Sequence, residues 1–108
     1  MGVPEMPLLE KRREQILDEI AAIKSMRRGT LNEVYRKQEL KSGEVARRGP
    51  FYNITTKAKG NKTVTTAVPK KELARIQEDV ERYRRFRVLC EEYVCACESV
   101  SLLLGEGS

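Results

Sequence analysis

The sequence predicts an α+β protein in which two helices flank a short, strongly basic antiparallel β segment. Three observations lead there. Apolar residues recur at helical spacing near both ends, Thr-rich β-branched runs surround a Gly-Asn pair in the middle, and positive charge concentrates in that middle. Residues 27–71 carry twelve basic and three acidic side chains, against balances of −1 before and −3 after, within a net +5 for 108 residues. A length of 108 residues suits a single domain. The 34% charged and 6% aromatic content point to an elongated shape.

The first element is an amphipathic helix over residues 7–28. Leu9, Ile16, Ile20 and Ile23 fall three or four apart, with Ala21 and Ala22 beside them. Pro7 suits a first turn, Arg27 and Arg28 suit the negative end of the dipole, and Gly29 suits the terminating position.

Residues 30–68 predict a three-stranded antiparallel meander. Thr30–Lys37 reads as a strand, residues 38–48 as a polar loop, and Pro50 introduces a strand over 51–58. The turn Lys59-Gly60-Asn61-Lys62 then leads into Thr63–Val68. Gly accepts positive φ at the first turn position, which makes this the hairpin signal. A third strand is needed because a lone hairpin is marginal.

Residues 69–104 predict a helix of about 50 Å at 1.5 Å per residue. Its apolar seam steps by three and four through Leu73, Ile76, Val80, Tyr83, Cys90, Val94, Cys97 and Leu104, interrupted by Arg87 and Ser101. Phe86, Tyr93 and Val100 widen it on one flank. Such a coiled-coil-like seam needs a partner, and the first helix is too short to cover it all, which favours a homodimer. Arg87 within the seam would set register. Residues 105–108 read as a frayed tail.

Several function classes recede. Histidine is absent, which removes the commonest general base and metal ligand, so no enzyme is expected. No catalytic residue, cofactor, metal site or small-molecule substrate is expected. The three cysteines, Cys90, Cys95 and Cys97, lie in one helix, do not resemble a secreted disulfide framework, and read as small hydrophobes. Cys90 and Cys97, a heptad apart, are about 10 Å apart along the axis and cannot share a zinc. In a parallel dimer each would face its own copy. No apolar run spans a membrane, and the N-terminal residues lack secretory and myristoylation patterns, so a cytoplasmic location is expected.

The basic middle is the candidate site. Arg47, Arg48, Lys57, Lys59 and Lys62 lie on or near the hairpin, and Arg27, Arg28, Arg36, Lys37 and Lys41 precede it. Lys70 and Lys71 open the long helix, where cations oppose the dipole unless an anion sits there. Nucleic-acid phosphate is the expected partner, with DNA favoured over RNA because a two-stranded ribbon fits a major groove. Asn53, Thr55 and Thr66 are the side chains suited to base edges. Edge lysines also discourage aggregation, but a balance of +9 exceeds that need. Arg82, Arg84 and Arg85 instead lie at i,i+4 or neighbouring positions to glutamates and read as a solvated helix face. The alternative is a structural or adaptor module whose long helix pairs with another protein.

The motifs Gly29-Thr30-Leu31, Tyr35-Arg36-Lys37, Gly49-Pro50-Phe51-Tyr52, Gly60-Asn61-Lys62-Thr63, Val68-Pro69 and Tyr83-Arg84-Arg85-Phe86 occur in this order. The order resembles that of a family of small uncharacterised prokaryotic proteins. The resemblance implies the fold above and, through that family's suspected link to mobile elements, nucleic-acid transactions. It departs at the family's cysteine cluster. Gln38 stands at the first cysteine position and the loop to Arg48 has none, so no metal or redox role carries over.

Overall fold

The computed structural model describes residues 5–106; the expectations for residues 1–4 and 107–108 lie outside them. The element order is α1 (Glu5–Ala22), β1 (Thr30–Glu39), β2 (Val45–Lys57), β3 (Thr63–Val68) and α2 (Leu73–Glu106). This is the α+β arrangement expected, with an antiparallel sheet in the order β1-β2-β3. No described helix is long and apolar enough to cross a membrane.

The chain divides into two compact units. One is Met26–Glu81 and contains the sheet with the first turns of α2. Its core is Ile54, Val68, Ile76 and Val80, with Leu31, Tyr52 and Leu73 packed against it. Alternation explains the face: Leu31 lies opposite Ile54, and Tyr52 opposite Val68, so one side of the sheet collects the apolar residues. Leu73, Ile76 and Val80, three and four apart, present one helical stripe to them. Asp79, on the same turns, is only 5% exposed. Its carbonyl accepts from the Arg27 amide at 3.0 Å, and its Oδ2 pairs with Arg75 at 3.6 Å.

The second unit holds α1 and the part of α2 from Arg82 onward. Ile16 and Leu89 are its fully buried side chains and Ala96 is buried with them. Arg12 pairs with Glu92 and with Glu19, the latter at 3.6 Å, and Arg85 donates to Glu19 at 2.9 Å. The partners run in opposite senses along the two helices, so these segments pack antiparallel. The Arg12 hydrogen bond holds the Glu92 carboxyl below its ordinary value.

Several boundaries differ from expectation for physical reasons. Helix α1 ends at Ala22, and Gly29 is not its cap. Gly29 instead opens β1 at φ +134°, where a Cβ would lie 2.7 Å from Ile54 Cγ1 and 2.8 Å from Thr56 Cγ2. The loop expected over 38–48 shrinks to Leu40–Glu44, because β2 begins at Val45 and runs through Pro50. A register shift between Val34 and Arg36 sets Gly49 and Pro50 together against Tyr35. Proline tolerates that bulge because it has no donor to lose. The Gly49–Pro50 peptide is cis. The β2–β3 hairpin is present as expected, but Lys59–Asn61 close it as a three-residue 3-10 turn, with Gly60 at φ 78° and Asn61 at φ 61° and the Ala58 amide donating to the Lys62 carbonyl at 2.7 Å. Helix α2 continues through Gly105 to Glu106, past the expected fray at 105.

Candidate functional site

Strand β3 pairs with β2 only over Tyr52–Lys57, whereas β1 pairs with it from Val45 to Thr55. Residues 34–39 and 45–51 therefore form a two-stranded ribbon extending past the third strand. On this ribbon Arg36 lies directly opposite Arg48, and Lys37 opposite Arg47. Like charges in directly opposed positions repel and destabilise a sheet, yet here they occupy consecutive pairs, one on each face.

Each face adds an aromatic ring. The Arg36 guanidinium sits over Phe51, 4.9 Å from the ring centre, and Arg47 sits over Tyr35 at 3.9 Å. Both distances lie within cation–π range. Tyr35 Oη donates to Glu33 Oε1 at 2.5 Å. That bond, then partial desolvation and the Glu33 charge, pushes the phenol above its ordinary value, with Arg47 acting in the opposite sense.

The helix-free face of the sheet continues from Arg36, Arg48 and Phe51. Val34 lies opposite Phe51; Asn32, Asn53 and Ala67 form the next row; Thr30, Thr55 and Thr65 form the one after. Asn32 Nδ2 donates to Asn53 Oδ1 and to Thr55 Oγ1, each at 2.8 Å. A groove of about 440 Å³ crosses this face, lined by Arg36, Phe51, Asn53, Thr65, Ala67 and Lys70 among others.

The expected phosphate-binding residues do not form one cluster. Arg47 and Arg48 lie on the ribbon, while Lys57, Lys59 and Lys62 surround the β2–β3 turn. From Arg48 to Lys57 the strand spans roughly 30 Å at about 3.3 Å per residue. Lys70 and Lys71 lie in a short 3-10 turn before α2, and Lys70 lines the groove beside Arg36 and Phe51. All seven are exposed. Thr66, opposite Ile54, lies on the sheet face that packs on the helix, so it does not join Asn53 and Thr55. Tyr35 and Phe51, which the charge pattern does not single out, also stand on the ribbon beside these arginines. Their signal was the interleaving of aromatics with arginines in Tyr35-Arg36-Lys37 and Arg47-Arg48…Phe51-Tyr52.

The expected seam divides in the same way. Leu73, Ile76 and Val80 face the sheet, and Tyr83, Cys90 and Cys97 are half-buried. Val94 is 49% exposed and Leu104 64%, and Arg87 is exposed. From Phe86 on, the buried stripe runs through Leu89 and Ala96, with Phe86, Tyr93, Val100 and Leu103 half-buried around it. The three cysteines are free thiols. Cys95 is exposed, and local desolvation, then Glu91 and Glu98, raises its pKa above the ordinary thiol value. Among the described residues, no three His, Cys, Asp or Glu side chains come together to hold a metal ion.

No protein-family model, curated protein or solved structure was found to match the chain.

Proposed function

We propose that this is a non-catalytic nucleic-acid-binding protein that grips phosphate backbone with its β1–β2 ribbon. The observation that carries the reading is the stacking of like charges, Arg36 on Arg48 and Lys37 on Arg47. A free protein gains nothing from these pairs, whereas a polyanion turns their repulsion into attraction and releases counterions on binding. Arg47 and Arg48 supply the main contacts, with Arg36, Lys37 and Lys70 beside them. Lys57, Lys59 and Lys62 reach a second stretch of backbone, and Lys71 acts as a peripheral charge. A two-stranded ribbon has the dimensions to enter a DNA major groove. The absence of histidine removes the commonest acid–base group and supports a binding role over catalysis.

Homodimerisation belongs to the same proposal. The α1–α2 unit leaves Leu8, Leu17, Val88, Val94, Leu102 and Leu104 exposed, and a second copy is the occupant the proposal names. The other reading, a protein adaptor, rests on the same exposed side chains and differs in what covers them.

The test is binding of labelled duplex and single strands across a salt series, with solution mass measured in parallel. The proposal expects log affinity to fall linearly with log salt, by about 0.9 per phosphate contacted on B-DNA. Absence of binding at low salt, with a partner protein covering the helices instead, would favour the adaptor.

A further inference from the structure

Backbone contacts alone leave the helix-free face of the sheet without a role, although it is the most differentiated surface of the Met26–Glu81 unit. It is arranged in rows about 6.7 Å apart, two residues along each strand. At one end stand Arg36, Arg48 and Phe51, then Asn32, Asn53 and Ala67, then Thr30, Thr55 and Thr65. Lys57, opposite Thr63, follows at the far end of the same face. Phe51 is 42% exposed and stays so although its neighbour Val34 is partly covered. The guanidinium of Arg36 lies over its ring, 4.9 Å from the centre, which pairs a cation with an exposed aromatic ring, the combination on which unpaired bases stack.

We infer that this face is a platform for single-stranded nucleic acid, a reading that rests on the proposed function and specifies its ligand. Charge complementarity names the occupant. Arg36 and Lys70 line the groove together with Phe51, and Arg48 stands opposite Arg36; these cations neutralise phosphates while the ring receives a base. The Asn and Thr rows accept a chain of bases rather than an apolar protein surface, because they offer amide and hydroxyl groups. The Asn32–Asn53 bond engages one amide donor group and one amide acceptor, and the opposite ends of the pair suit a base edge. Ala67, small and exposed opposite Asn53, keeps that row low enough for a base to lie across it. A duplex cannot use the platform, since its bases are already stacked.

The full-length chain is titrated with a labelled single-stranded DNA, its RNA equivalent and the DNA duplex, using the unaltered protein, Phe51→Leu and Ala67→Glu. Phe51→Leu keeps an apolar side chain at a half-exposed position, so the fold is retained, and circular dichroism checks that it is. The expected result is a 5-fold to 100-fold loss of single-strand affinity, about one stacked base, with duplex affinity and salt slope unchanged. Ala67→Glu, which sets a carboxylate in the strand's path, lowers single-strand binding in the same way. Comparing the DNA and RNA strands shows which sugar is preferred. Equal single-strand affinity in all three proteins, alongside normal duplex binding, overturns the platform and leaves the backbone reading intact. Failure of the unaltered protein to bind any of the three overturns both.

Discussion

Gly29 shows how much a single residue can settle. A helix cap was its natural reading, since glycine follows two arginines there, but its role is steric. Its φ of +134° and the approach of Ile54 and Thr56 leave no room for a methyl group. Gly29→Ala is expected to cost roughly 1–3 kcal/mol through backbone strain and overpacking, read as a lowered urea midpoint. Glu92 carries a pH-dependent contribution of the opposite kind. Its carboxyl titrates below the ordinary value of 4.5 because it accepts from Arg12. The stability it adds is present above that ordinary value and is lost as pH falls through the lowered folded value. Thermal melts should show the unaltered protein losing its advantage over Glu92→Gln below about pH 4.5, the ordinary value. An advantage that persists unchanged in strong acid would contradict the pairing.

Among the elements, legibility followed locality. Strand β3 was readable to the residue, because Gly60 and Asn61 fix a turn and the β-branched run after it ends at Pro69. Strand β2 was not, because Pro50 signals a boundary unless a bulge accommodates it, and the bulge depends on the partner strand. The ribbon and its opposed like charges were hidden for that reason: adjacency in register is a tertiary fact that composition does not carry. Helix α2 was found, but its buried stripe beyond Arg82 lies one residue ahead of the expected seam. The spacing alone suggests one continuous repeat, whereas the helix serves the sheet at Leu73–Val80 and α1 thereafter. Leu89→Ala should cost about 2–5 kcal/mol, while Val94→Ala, at a half-exposed site, should cost under about 1 kcal/mol. Chemical denaturation of the two variants checks this, and equal costs would restore the original seam.

At the scale of the whole molecule, the two units differ in what they expose. The Met26–Glu81 unit carries the basic ribbon and the polar sheet face. The α1–α2 unit carries an ion-pair network and exposed apolar side chains. If these side chains pair two copies, Leu102→Glu should convert a dimer to a monomer in sedimentation while each monomer keeps its grip on nucleic acid. Affinity for long strands should then fall, because two linked sites bind with avidity that one lacks. A dimer that survives Leu102→Glu would move the interface elsewhere.

The most direct test of the ribbon's role measures stability and binding together in Arg48→Glu. Removing the repulsion with Arg36 and replacing it with attraction should stabilise the free protein by about 0.2–1 kcal/mol. The same change should weaken nucleic-acid binding and flatten its salt dependence by more than one contact's share. Stability up and binding down is the result the account predicts. A variant that is more stable and binds as tightly as before would contradict it, since the like-charged pairs would then have no ligand to serve.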